Sequence, residues 1–309
     1  MKLTEYSKLI FSKSYQAVDW LRRGKKQLHR LQSGSGERVI IVHNHLFKNA
    51  GSSIDWALRN NFGNAFIDHR DNQKMLKGPS YLGPYLLNNP GIIALSTHQL
   101  RPPLPVLENT RILTIMMFRH PIERVTSAYN FERKQIGAST LGAKFARAHN
   151  LREYVLWRML FDVPPTIRNF HIYRTLPLPA DWRKDIGETQ LTHAKSFVDS
   201  VEMIGFVERF DDSMVLFEEI LRLFLPDVDL SYRIQNVGQR REESLAERID
   251  RLQAEIGGDA FQLLMERNRA DLELYEHARN LFAERLAEVP GFEAKRDDFK
   301  ARCCRHNLH

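Results

Sequence analysis

Four short apolar runs punctuate the chain: Val39-Ile40-Ile41-Val42, Ile92-Ile93-Ala94-Leu95, Ile112 through Phe118, and Met203-Ile204-Gly205-Phe206-Val207. They are continuous rather than alternating, the pattern of strands buried on both faces. The first is followed by a loop and a helix predicted from about Ser52 to Asn60. The next two are followed by polar or proline-containing sequence and then helical spacing. From Glu242 onward the pattern is helical, with Leu245, Ile249, Leu252 and Ile256 on one face, and a second helix is predicted from about Asp259 to Glu288. Strands alternating with helices predict an α/β fold, a central parallel sheet flanked by helices in three layers. Ligands of such sheets sit beyond the carboxyl ends of the strands.

The first 32 residues also read as helix, loosely amphipathic, and Ser33-Gly34-Ser35-Gly36 makes a flexible break. The expected organisation is a basic helical extension and linker over 1–36, one domain over 37–290 and a polar tail over 291–309. Charge sharpens this division. The net charge is +7, but residues 1–32 carry eight Lys/Arg against two acids, and 33–290 sums to −1. A near-neutral body argues against nucleic acid as a partner. Residues 1–32 are expected either to pack on the domain as an extra helix or to lie on an anionic membrane surface. No apolar run approaches the roughly 20 residues that span a bilayer, and the beginning lacks the apolar core of a secretory signal. The two cysteines, Cys303 and Cys304, are adjacent and offer neither a cross-link nor metal-ligand spacing. A cytoplasmic location follows as the expectation, with peripheral contact at the inner membrane surface through residues 1–32 as the alternative to packing on the domain.

Chemistry-bearing residues fall where the strands end. His45-Leu46-Phe47-Lys48-Asn49-Ala50-Gly51-Ser52-Ser53 leaves the first strand and enters a helix. Free N–H groups at a helix start favour an anion, Gly51 allows close approach, and Lys48 adds a full charge. The lysine precedes the small residues, unlike the order of a nucleoside-triphosphate loop. At the third strand's exit stands Phe118-Arg119-His120-Pro121-Ile122-Glu123-Arg124-Val125-Thr126-Ser127-Ala128-Tyr129. Pro121 suits a first helical turn, Ile122, Val125 and Tyr129 would face the core, and an arginine fork with a hydroxyl suits a phosphate monoester.

The first segment resembles the 5'-phosphosulfate loop of sulfotransferases that use 3'-phosphoadenosine-5'-phosphosulfate (PAPS), with Phe47 and Asn49 in place of the usual proline and threonine. The second is similar to their Arg-x-Pro-x-x-Arg-x-x-Ser-x-Tyr 3'-phosphate motif. Gly205 through Phe210, Asn236-Val237-Gly238, and Asn268, Asp271 and Tyr275 extend the resemblance over residues 37 to 288. The nearest group is the carbohydrate, membrane-associated (family 2) sulfotransferases. The resemblance implies a P-loop-like fold, PAPS as donor and PAP as product, and a carbohydrate or glycoconjugate acceptor. Lys48, Asn49, Ala50, Gly51, Ser52, Ser53, Arg119 and Ser127 would bind the donor.

In-line sulfuryl transfer needs a cation at the leaving phosphate oxygen, for which Lys48 is the candidate, and a base for the acceptor hydroxyl. His98, following the second buried strand, is the favoured base and His45 the reserve. His43 and His45 are expected to orient the loop. Asn236, Arg240 and Arg241 read as a polar turn before a helix, with nucleotide or acceptor contact as the alternative. The chemistry requires no metal, and none is expected. The alternatives are a P-loop-type kinase or nucleotide hydrolase, and a non-catalytic nucleotide-binding protein.

Overall fold

The computed structural model describes residues 37–178, 180–233 and 243–306. The expectations for residues 1–36 and for Asn236, Val237, Gly238, Arg240 and Arg241 lie outside the described residues.

Five parallel strands form one sheet: β1 (Arg38–Asn44), β2 (Phe66–His69), β3 (Ala94–Thr97), β4 (Thr110–Phe118) and β5 (Met203–Phe206), in the order β2-β3-β1-β4-β5. β1 leads out to the β2 edge, and the chain then recrosses β1 between β3 and β4. The winding therefore reverses at the central strand, where parallel α/β sheets leave a crevice at their carboxyl ends. The helices described are α1 (Gly51–Phe62), α2 (Asn72–Met75), α3 (Pro79–Asn88), α4 (Glu123–Lys134), α5 (Leu141–Ala148), α6 (Leu151–Arg158), α7 (Phe170–Thr175), α8 (Glu188–Ser200), α9 (Phe210–Leu221), α10 (Leu245–Ile256), α11 (Gly258–Arg267), α12 (Arg269–Ala287) and α13 (Phe292–His306).

Alternation along β1 sorts the core into layers. Ile40 and Val42 join Met75 of α2 and Leu82 and Leu86 of α3, whereas Ile41 joins α1, α8, α9 and α12. Ile122, Val125 and Tyr129 of the α4 segment face inward as expected. They form a second cluster with α5, α6, α10 and α11, which includes Leu252 and Ile256.

Three boundaries differ from expectation. β2 was not foreseen: Phe66-Ile67-Asp68-His69 mixes apolar and polar residues because it is an edge strand, paired only to β3. The long helix expected from Asp259 to Glu288 breaks at Asn268, whose side chain donates to the Leu264 carbonyl at 2.9 Å and accepts the Asn169 N–H at 2.9 Å. The polar tail is corrected to α13, because Phe299 is fully buried in the main core and Arg302 is paired with Glu218 at 2.7 Å.

Candidate anion and base site at the strand ends

Register brings the site together. Asn44 of β1 lies level with Thr97 of β3 and Met116 of β4, so the next residues, His45 and His98, emerge side by side. His45 N–H donates to the Thr97 carbonyl at 2.9 Å, and the two rings are 4.3 Å apart. β4 runs on to Phe118, which delivers Arg119 beside the loop after β1.

That loop is strained and fastened from below. Lys48 and Ala50 both adopt left-handed backbone, at φ 64° and 59°, conformations that cost non-glycine residues about 1–3 kcal/mol each and collect at functional sites. Asn49 is fully buried: its amide donates to the Met117 carbonyl at 2.7 Å and meets His171 Nε2 at 3.0 Å. His171 in turn donates from Nδ1 to Asp271 at 3.0 Å, and Asp271 also accepts the N–H groups of His171 and Ile172. Burial works to raise the Asp271 carboxyl, but His171 and these N–H groups outweigh it and hold it low. The Asn49 side chain therefore points into the protein and away from the expected donor site. Its contribution there is to position the turn.

Above these anchors, the start of α1 is open. No side chain caps it; Ser52 is exposed and Ser53 half-exposed. Lys48 Nζ stands 4.6 Å from the Phe131 ring centre, and burial, then Arg119 and Lys134, lower its pKa. Arg119 donates to the Lys48 carbonyl at 3.2 Å, so the two predicted motifs meet. The same guanidinium is forked on Glu123, with Nη2 2.6 Å from Oε1, and Arg248 approaches Glu123 at 3.4 Å. Arg119 is thus partly neutralised in place. Ser127, one turn into α4, is half-buried and makes no side-chain hydrogen bond among the described residues. Arg124 is buried and serves structure, donating to the carbonyls of Phe47 and Thr166. Glu208 accepts the His120 N–H at 2.7 Å and so fixes the strand exit.

On the other flank lies a histidine–carboxylate network the sequence did not announce. Asp55 of α1 meets His43 Nδ1 and His45 Nδ1, each at 2.8 Å, and Arg70 at 3.3 Å. Burial opposes the charge on Asp55, yet His43 and His45 hold its carboxyl far below the usual range. The signal was Asp55 itself, a polar residue on the buried face of a helix between Ile54 and Ala57. His43, His45 and Asp55 bring three groups capable of holding a metal within 4.8 Å of one another, where no cluster was expected from the sequence. Each Asp55 oxygen already faces an imidazole nitrogen, and the Arg70 guanidinium supplies positive charge at that spot, an arrangement that suits hydrogen bonding.

His98 Nδ1 meets the His45 carbonyl at 2.7 Å, which sets the tautomer and leaves Nε2 as the basic nitrogen, contacted by Arg70. Burial, reinforced by His45, pushes its pKa down to about 4. Burial also lowers His45, despite Asp55.

The molecule is thus an α/β protein with an all-parallel sheet and a polar site gathered at the central strand ends. It belongs to the same family as an uncharacterized protein of Archaeoglobus fulgidus, to which it is 31% identical over 256 residues, 80% of this chain and 98% of that one. No family model matches the sequence. Among the described residues no helix is long and apolar enough to cross a membrane.

Proposed function

We propose that the protein is a PAPS-dependent sulfotransferase acting on a carbohydrate hydroxyl. The observation that carries this reading is the contact between its two anion-binding motifs, Arg119 Nη1 to the Lys48 carbonyl at 3.2 Å, with His98 across the same strand ends. Arg119 and Arg248 both contact Glu123, and Lys48 lies close enough to Arg119 and Lys134 for both to lower its pKa, so this cluster of basic groups suits a polyanionic donor.

The residues fit that donor at one end more readily than at the other. The uncapped start of α1 with Lys48 suits the 5'-phosphosulfate. At the 3'-phosphate, Arg119 keeps only the edge that Glu123 leaves free. In the transfer, the acceptor oxygen forms a bond to sulfur while the bond from sulfur to the phosphate oxygen breaks. His98 Nε2 takes the hydroxyl proton, and Lys48 neutralises charge on the departing phosphate oxygen, an effect worth about 3–4 kcal/mol in a dry site. Arg70 must leave Nε2 for this. It is half-exposed and has Asp68 and Asp55 to receive it.

Transfer of labelled sulfate from PAPS to a panel of glycans tests the reading, with PAP-induced thermal stabilisation as a parallel measure. Absence of both in the wild-type protein would overturn it.

A further inference from the structure

Arg101 lies three residues beyond His98 and is half-buried without an acidic partner among the described residues. Its Nε and Nη1 are inaccessible to water and make no hydrogen bond among the described residues, and burial lowers its pKa to about 10 with no carboxylate among those residues to offset it. Arg174 of α7 reaches the same place. Its Nη1 contacts Gln99 Oε1 and lies 3.4 Å from the His98 carbonyl. Both partners are neutral, and burial followed by the charges of Arg101 and Arg124 pushes Arg174 down to about 9. Arg174 and Arg124 both face the Phe170 ring, at 5.2 and 4.0 Å. Two neighbouring guanidinium groups, half-buried beside a base and with like charges opposed, destabilise the fold unless something else meets their charge. Guanidinium forks match planar or tetrahedral oxyanions.

We infer that Arg101 and Arg174 form a subsite for an oxyanion, a carboxylate or a sulfate ester, carried by the acceptor next to the hydroxyl that faces His98. The acceptor class is then an acidic saccharide. The inference rests on the proposed transferase reading for the word acceptor, but the subsite itself is measurable without catalysis.

Calorimetric titration of the full chain tests it, using a uronic-acid disaccharide, its methyl ester and a neutral disaccharide bearing one sulfate, with PAP titrated separately. The acid or the sulfated sugar should bind at least tenfold more tightly than the ester, and the better of the two identifies the oxyanion. Arg101→Gln should erase the difference, leave PAP affinity within twofold and keep or raise the melting temperature, since Arg101 has no partner to lose. Arg174→Gln should do the same to the sugars. If that variant fails to fold, Arg101→Gln carries the test alone. Equal binding of acid, sulfated sugar and ester, or a preference that survives Arg101→Gln, overturns the subsite. Acid preference without PAP binding would keep the subsite and remove the transferase; PAP binding without any oxyanion preference would do the reverse.

Discussion

The amide of Asn49 lies 3.0 Å from Nε2 of His171, and this contact fastens the lysine loop to a residue 122 positions further along the chain. The hydrogen-bond directions are consistent along the whole relay. Asp271 accepts from His171 Nδ1, so Nε2 carries a lone pair, and the second N–H of Asn49 goes to the Met117 carbonyl. Strain in the loop is therefore held from beneath by a buried polar relay that uses both N–H groups of the Asn49 amide, while Asn49 Oδ1 is buried without a partner among the described residues.

Asn49→Ala should lower stability by about 2–3 kcal/mol, because two hydrogen bonds go and the His171 lone pair is left buried without a donor. Asn49→Asp should be worse, since it sets one acceptor against another. Urea denaturation of the two variants checks the order. Equal midpoints for wild type and Asn49→Ala would show that the loop holds itself.

Gly51→Ala should destabilise by about 1–3 kcal/mol, the range for overpacking. A Cβ at Gly51 would collide with the His45 ring. The reason for glycine here is thus a side chain of the protein itself, in addition to any ligand. Adding His45→Ala to Gly51→Ala should recover most of the loss in thermal denaturation. No recovery would locate the clash elsewhere.

The contrast between Gly51 and Asn49 marks how far the sequence could be read. β1, β3, β4 and β5 were legible because buried parallel strands are unbroken apolar runs, and Lys48, His98 and Arg119 were legible because each follows such a run. β2 was hidden by its edge position. Asn49 in the loop and Ser52 in the first turn of α1 are polar residues three positions apart, yet one is buried and the other exposed, a division that depends on where His171 arrives from. The pairing of Asp55 with His43 and His45, and the meeting of Arg101 with Arg174, likewise depend on tertiary placement. α13 was missed because its residues are mostly charged, and only Phe299 and Cys303 are buried.

Phe299→Ala should cost about 3–5 kcal/mol, the range for emptying a fully buried phenylalanine site, and should lower the melting temperature. A change of less than 1 kcal/mol (by roughly the accuracy of such measurements) would return 291–309 to the status of a tail.

Lys48→Met should reduce sulfuryl transfer by about 100- to 1000-fold, the loss seen when one preorganised stabiliser of developing charge is removed. The fold should persist, since the Lys48 side chain rests on Phe131 alone among the described rings. Single-turnover transfer with far-ultraviolet circular dichroism as control separates the two effects. Transfer within tenfold of wild type would remove Lys48 from the chemistry.

Acid should act on this protein through histidines that resist protonation. Burial holds both His98 and His120 down to about 4 from an ordinary value of 6.5. Between those values the unfolded chain binds protons that the folded chain refuses, so stability rises with pH across that window. The contribution is complete above 6.5 and drains away as pH falls toward about 4. Urea midpoints should therefore decline over this range, and His98→Asn with His120→Asn should flatten the decline. Catalysis should follow the same group. If His98 is the base, it stays neutral well below the ordinary histidine pKa, and kcat/KM should keep its value until the acid limb near 4. A limb at 6.5 that survives in His98→Asn would assign the proton to another residue, with Asp55-bound His45 next in line.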